Sequence, residues 1–367
     1  MKRLGRTAAT VGSALAIAVA VGCGAAGGAA AKAVTPCGTA NVPAWSPDGT
    51  QVVWFGYRWP RPPNGHATGD YNILRAFCAS NADGTNLHPV PKTTCGEKCP
   101  NNLGDPPGQL NWVGANLLVY GSDDGLHTIT VGKKPKLLTR SGLGGYALDA
   151  KGDRIATNDF GEGCVTCHGP VRIFSVPSGA VVGVVGGNKL YNYAASLSPD
   201  GSQVVFVRQP PTDSGRPAIW TADADGSHLK RLEQSGNNPV WSPAGNLIVY
   251  SAPSGPAATA LRLVAPQGGK SRVLLRAGPG EIFGWSPDGK YIAFPGAKGA
   301  LDIVNVATRK VRTLLKPKLP FGSSSAAWSP DSQQLLVLVS RAPSQSKCPS
   351  GVWRVPLNGK PQLVHGC

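Results

Sequence analysis

A pentapeptide of the form Trp-Ser-Pro-Asp-Gly recurs along this chain, and it limits the fold more than any other feature. Trp45-Ser46-Pro47-Asp48-Gly49 opens the series. Leu197-Ser198-Pro199-Asp200-Gly201, Trp241-Ser242-Pro243-Ala244-Gly245, Trp285-Ser286-Pro287-Asp288-Gly289 and Trp328-Ser329-Pro330-Asp331-Ser332 repeat it. Weaker copies, Trp112-Val113-Gly114-Ala115-Asn116 and Leu148-Asp149-Ala150-Lys151-Gly152, fill the interval and bring the units to seven. From Leu197 onward the steps are 44, 44 and 43 residues, the period of a four-stranded propeller blade.

Each unit has a local physical reading. Ser, Pro, Asp and Gly fill the four positions of a type I turn, in which Pro pre-sets φ and Gly accepts positive φ. The Trp or Leu ends the strand before the turn and is placed to pack between blades. An apolar strand should follow, as at Gln51–Phe55 or Gln203–Val207, then an alternating third strand such as Ala218–Thr221 or Val352–Val355. Asp83-Gly84, Asp225-Gly226, Gly268-Gly269 and Asn358-Gly359 suit tight hairpins into a short fourth strand. No stretch after the leader keeps a 3.6-residue apolar period. With 48 Gly and 33 Pro in 367 residues, the surplus of both is the punctuation of many turns. Charged residues at 15% and hydrophobics at 41% exclude a charge-rich disordered chain or a coiled coil. The expected fold is all-β, a single propeller of seven four-stranded blades. Six blades is the alternative, because the step from Trp45 to Trp112 exceeds one period.

These repeats resemble the TolB-type, WD-repeat-like propeller repeats, and the resemblance covers roughly residues 40–366. It implies a propeller fold. TolB itself has six blades and an additional N-terminal α/β domain, whereas seven repeats are counted here. The resemblance therefore extends to the fold and not to a place in the Tol envelope complex. The propeller-bearing serine peptidases add a hydrolase domain, and no G-x-S-x-G elbow occurs in this sequence.

The N-terminus reads as an export signal. Lys2, Arg3 and Arg6 precede an Ala-rich apolar run from Ala8 to Val21, too short to span a bilayer stably. Ala20-Val21-Gly22-Cys23 is similar to a bacterial lipobox, in which Cys23 would carry the lipid and anchor the protein to the membrane. Ordinary cleavage near Ala31 or Ala33 is the alternative, and would give a secreted or periplasmic protein. The expected division is a signal peptide over 1–22, a linker over 23–39 and the propeller over 40–367. Cys37, Cys78, Cys95, Cys99, Cys164, Cys167, Cys348 and Cys367 remain beside Cys23, an even set that suits disulfides in an oxidising compartment. Two arrangements stand open for the chain ends. Pairs within one blade would join Cys37 to Cys78 and Cys348 to Cys367, while a Cys37–Cys367 bridge would join the first blade to the last. Cys95 and Cys99 would close a small loop between blades one and two.

Cys164-Val165-Thr166-Cys167-His168 is a C-x-x-C-H sequence, the attachment signature of c-type haem. Two thiols there add to the haem vinyls and the histidine ligates iron. A second axial ligand would have to come from His66, His88, His127, His228 or His365. The alternative is a Cys164–Cys167 disulfide that stiffens a loop, with no cofactor; zinc lacks a second ligand pair at suitable spacing. Asp123-Asp124-Gly125 reads as a hairpin turn. Asp159 and Glu162 read as loop solvation. Tyr57, Trp59, Arg61 and His66 lie in a long Pro/Gly-rich insertion, and such loops on a rigid scaffold form binding surfaces. The net charge of +16 favours anionic envelope polymers or headgroups. Nucleic acid is not expected, since there is no dense basic run interleaved with aromatics. The reading that follows is a non-enzymatic, monomeric binding scaffold for a protein or an anionic cell-envelope polymer. Its alternatives are a propeller enzyme of hydrolase or lyase type acting at the central channel, and a haem electron carrier.

Overall fold

The computed structural model describes Cys37 and residues 39–58, 74–94, 109–122, 125–140, 145–158, 169–176, 178–210, 216–255, 258–278, 281–316, 322–340 and 350–366. Blade one comprises β1 (Thr39–Trp45), β2 (Gln51–Arg58), β3 (Leu74–Asn81) and β4 (His88–Pro89). Blade two comprises β5 (Leu110–Val113), β6 (Leu117–Ser122), β7 (Gly125–Thr130) and β8 (Lys136–Thr139). Blade three comprises β9 (Tyr146–Leu148), β10 (Arg154–Asn158), β11 (Val171–Ser175) and β12 (Val181–Val185). Blade four comprises β13 (Tyr191–Leu197), β14 (Gln203–Gln209), β15 (Ala218–Asp223) and β16 (Lys230–Glu233). Blade five comprises β17 (Asn237–Trp241), β18 (Ile248–Gly255), β19 (Ala258–Val264) and β20 (Arg272–Gly278). Blade six comprises β21 (Gly284–Trp285), β22 (Tyr291–Pro295), β23 (Leu301–Asn305) and β24 (Val311–Leu315). Blade seven comprises β25 (Gly322–Trp328), β26 (Gln334–Ser340), β27 (Ser350–Pro356) and β28 (Gln362–Gly366).

Every sheet is four strands in sequence order, each antiparallel to the next, so the blade count is seven and not six. All seven expected Trp or Leu positions fall in the first strand of a blade, including those of the two weak copies at Trp112 and Leu148. The turn chemistry is as expected. Gly49 donates its N–H to Ser46 O at 2.9 Å with φ +72°, which a residue with a side chain rarely adopts. The final repeat holds Ser332 at φ +62° instead.

Period-two alternation distributes each strand between two neighbours. Val52 and Trp54 of β2 point into the core shared with blade seven, while Val53 and Phe55 point into the core shared with blade two. All four are fully buried, which is why second strands read as continuous apolar runs. Seven such clusters occur among the described residues, one for each pair of adjacent blades, and together they close a ring. Fourth strands lie outermost and are the most exposed.

The ring closes without a strand shared between the chain ends. Cys37 forms a disulfide with Cys78 of β3, so it is not the partner of Cys367. Both cysteines lie in the apolar seam between blades one and seven, with Trp54 stacked on His365 at 4.9 Å. Cys23, Cys95, Cys99, Cys164, Cys167, Cys348 and Cys367 lie outside the described residues.

Candidate functional site

First strands end, and first-to-second turns begin, on one face of the ring. There the channel opens into a cavity of about 900 Å³ bounded by blades one, two, three, six and seven. The repeat builds its wall. Ser46 Oγ donates to Asp48 Oδ1 at 2.5 Å and accepts Gln51 N–H at 2.9 Å, which fixes the turn. Ser198 with Asp200, Ser286 with Asp288 and Ser329 with Asp331 repeat the bond at 2.6, 2.7 and 2.5 Å. In blade five, where Ala244 replaces the aspartate, Ser242 bonds Asn246 at 3.1 Å. The hydrogen bond from Ser198, with those from Ser202, holds the Asp200 carboxyl down at about 2. The same serine bond lowers Asp48. These aspartates hold turns together.

The Trp of the repeat links blades. Trp45 Nε1 donates to Ala327 O at 3.1 Å, Trp285 Nε1 to Val240 O at 3.2 Å and Trp328 Nε1 to Gly284 O at 3.3 Å. Each accepting carbonyl lies one residue before the corresponding Trp of the preceding blade. Trp45, Trp112, Trp285 and Trp328 all line the cavity, with Pro47, Pro287 and Pro330 beside them.

Among the described residues, its charged lining is Asp149 and Lys151. Asp149 is buried, and its Oδ1 accepts the N–H groups of Asp153 at 2.8 Å and Arg154 at 3.1 Å. It is thereby committed to its turn. Lys151 is exposed. Gln109 Oε1 accepts Tyr146 N–H at 3.1 Å and lines the same wall. Asn111 Oδ1, Trp112 Nε1 and Ser325 Oγ are buried there without a partner among the described residues. Indole, amide, hydroxyl and the Lys151 ammonium make up this described surface. Sequence reading found the Trp positions of this wall through the repeat. It missed Gln109, Asn111 and Lys151, because no motif marks a residue as channel-facing.

Of the expected site residues, few are among the described ones. Tyr57 lies in β2, paired with Thr39 and Arg75. Trp59, Arg61, His66, Asp123, Asp124, Asp159, Glu162 and His168 lie outside the described residues, as do Cys164 and Cys167. Strand direction places the ends of β2 and β10, from which the two inserted segments leave, on the face opposite the cavity. Gly125 pairs with Ser122 across the hairpin between β6 and β7. The described histidines are scattered. His88 Nδ1 donates to Asn86 O at 2.7 Å, and buried His127 stacks on Tyr120 at 5.1 Å. His228 pairs with Asp223 at 2.7 Å, and this carboxylate raises its pKa. His365 stacks on Trp54. Among the described residues, no three His, Cys, Asp or Glu side chains come together to hold a metal ion. Nor is any helix among them long and apolar enough to cross a membrane.

No protein-family model matches the sequence, and no curated protein matches it. Solved structures do. Oligogalacturonate lyase in complex with manganese overlays with a TM-score of 0.59 and 14% identity, over 89% of this chain and 88% of that one. A chain of the mitotic checkpoint complex gives 0.57 and 14%, over 94% and 99%. TolB from Acinetobacter baumannii gives 0.48 and 16%, over 86% and 82%. The chain is a seven-bladed β-propeller. Identities this low show a shared architecture, and propellers host unrelated chemistries on one scaffold.

Proposed function

We propose that this protein is an exported, lipid-anchored scaffold at the outer face of the bacterial cell membrane. It binds a protein or an anionic envelope polymer at the channel mouth, without catalysis and without a cofactor. The observation that carries this reading is the wall of the 900 Å³ cavity. Its carboxylate, Asp149, is spent on two backbone bonds, while its ammonium, Lys151, is free to meet a ligand. The net charge of +16, or +13 once Lys2, Arg3 and Arg6 leave with the signal, favours acidic partners. The lipobox-like run ending at Cys23 supports the anchor, and the Cys37–Cys78 disulfide supports an oxidising compartment.

Immobilised protein should retain a specific ligand from solubilised envelope. Lys151→Glu should weaken that retention by roughly tenfold, equal to about 1.4 kcal/mol. Equal retention by the variant would remove the channel mouth from the account. A second reading, a lyase acting on an acidic oligosaccharide, is favoured by the overlay with oligogalacturonate lyase. Incubation with oligogalacturonate and Mn²⁺, followed by absorbance of the unsaturated product, separates the two. The scaffold reading expects a flat trace, and steady product formation would replace it with the enzyme.

A further inference from the structure

The outermost strand of blade three is unlike the other six. β12 reads Val181-Val182-Gly183-Val184-Val185, with neither a charge nor a proline. An outer strand offers unpaired N–H and C=O groups, and proteins normally guard such edges with charge, proline or brevity. Here β8 carries Lys136, β16 carries Lys230 and Arg231, β20 carries Arg272 and Arg276, and β24 carries Arg312. β4 is two residues long and ends in Pro89. β28 has Gln362, bonded to Arg354, and His365, stacked on Trp54. β12 shares a bulge with β8, β16, β20, β24 and β28 but has no charge or proline beside it, and it leaves Val181, Val182 and Val184 exposed at 51%, 38% and 44%.

One face of β12 is already occupied. Val185 is buried, and a Cβ added to Gly183 would lie 1.8 Å from Ala224 O, so the third-to-fourth turn of blade four covers that side. The register passes from Ile173↔Gly183 to Phe174↔Val181, which makes Val182 the extra residue of a bulge and turns both Val181 and Val182 outward. Val182 and Val184 share the open face by strand alternation.

We infer that β12 pairs antiparallel with β12 of a second copy of this chain, about a two-fold axis at Gly183. The segment reads the same in both directions about that glycine. An isologous antiparallel pair therefore sets Val182 opposite Val184 of the second copy and Val184 opposite its Val182, closing four valines into one apolar patch. Charge disfavours the same pairing at other edges. Like charges would gather along the Lys- and Arg-bearing edges of β8, β20 and β24, whose strands hold no acidic residue, whereas β12 brings no charge at all. The protein is then a dimer, not the single chain expected from sequence.

Sedimentation equilibrium of the exported protein, purified with its disulfides intact, tests this. The wild type should be dimeric at micromolar concentration. The double variant V182K/V184K sets lysine opposite lysine twice, and should raise the dissociation constant by roughly 100-fold. V182K/V184E sets lysine opposite glutamate in the same register, and should restore the dimer. Unchanged circular dichroism would show that all three are folded. A wild type that stays monomeric at about 100 μM, in the weak range of association, overturns the inference. So does a V182K/V184E protein as monomeric as V182K/V184K.

Discussion

The seam between blades five and six and the seam between blades seven and one solve the same packing problem with different means. Both carry the repeat's own link, Trp285 Nε1 to Val240 O at 3.2 Å in one and Trp45 Nε1 to Ala327 O at 3.1 Å in the other. Both bury an apolar cluster. Between blades five and six the chain itself is continuous. Between blades seven and one it is not, and that seam gathers a disulfide, the Trp54–His365 stack and a close approach of Gly84 to Val364 O. At Gly84, with φ +85°, an added Cβ would lie 2.6 Å from that carbonyl. The disulfide does not cross the seam, since Cys37 and Cys78 both belong to the blade-one side. It pins the segment before β1 into the face that blade seven meets. A ring built from local repeats thus needs its additional fastening where connectivity ends.

The most severe way to break this contrast is at Trp54, which is fully buried and stacked across the closing seam. Trp54→Ala should cost about 5 kcal/mol, the upper end for a buried aromatic, read from denaturant midpoints. A loss near 1 kcal/mol would mean that this seam is no more dependent on packing than a surface. Next, Cys37→Ala with Cys78→Ala removes a crosslink between residues 41 apart. The chain-entropy account gives about 4 kcal/mol for a loop of that size. Hydrogen exchange should rise first in β1 and β28; uniform opening of all blades would show that the disulfide does not act through the seam. The smallest effect is expected from the indole bond itself. Trp45→Phe and Trp285→Phe should each cost about 1 kcal/mol, the net worth of one hydrogen bond. Equal losses would show that the repeat treats both seams alike, and a markedly larger loss at Trp45 would show coupling to the disulfide.

Much of the architecture was legible in the sequence because its causes are local. The Ser-Pro-Asp-Gly turn needs only four neighbours, so the first strands could be placed even where the motif had degraded at Trp112 and Leu148. Boundaries were less legible. β25 runs Gly322–Trp328, so it begins well before the Trp that the motif marks, because strand length depends on what the neighbouring strand offers for pairing. The cavity was less legible still. Gln109 lies outside the repeat motif and Lys151 stands where the motif carries Asp, so neither is marked as facing the cavity, and they line one wall only because blades one, two, three, six and seven converge there.

The sequence by itself therefore determined the blade, its repetition along the chain and the chemistry of the repeat's turn, all of which rest on contacts within a few residues or one 44-residue period, while the structure settled seven blades over six. Only the tertiary structure decided how the ring closes. The bond from Trp45 to Ala327 spans 282 residues, and the choice of Cys78 over Cys367 as the partner of Cys37 depends on which groups meet once seven seams have packed. Turn geometry is set by dihedral preferences that each residue carries with it. Closure is set by proximity, which exists only after the whole ring has formed.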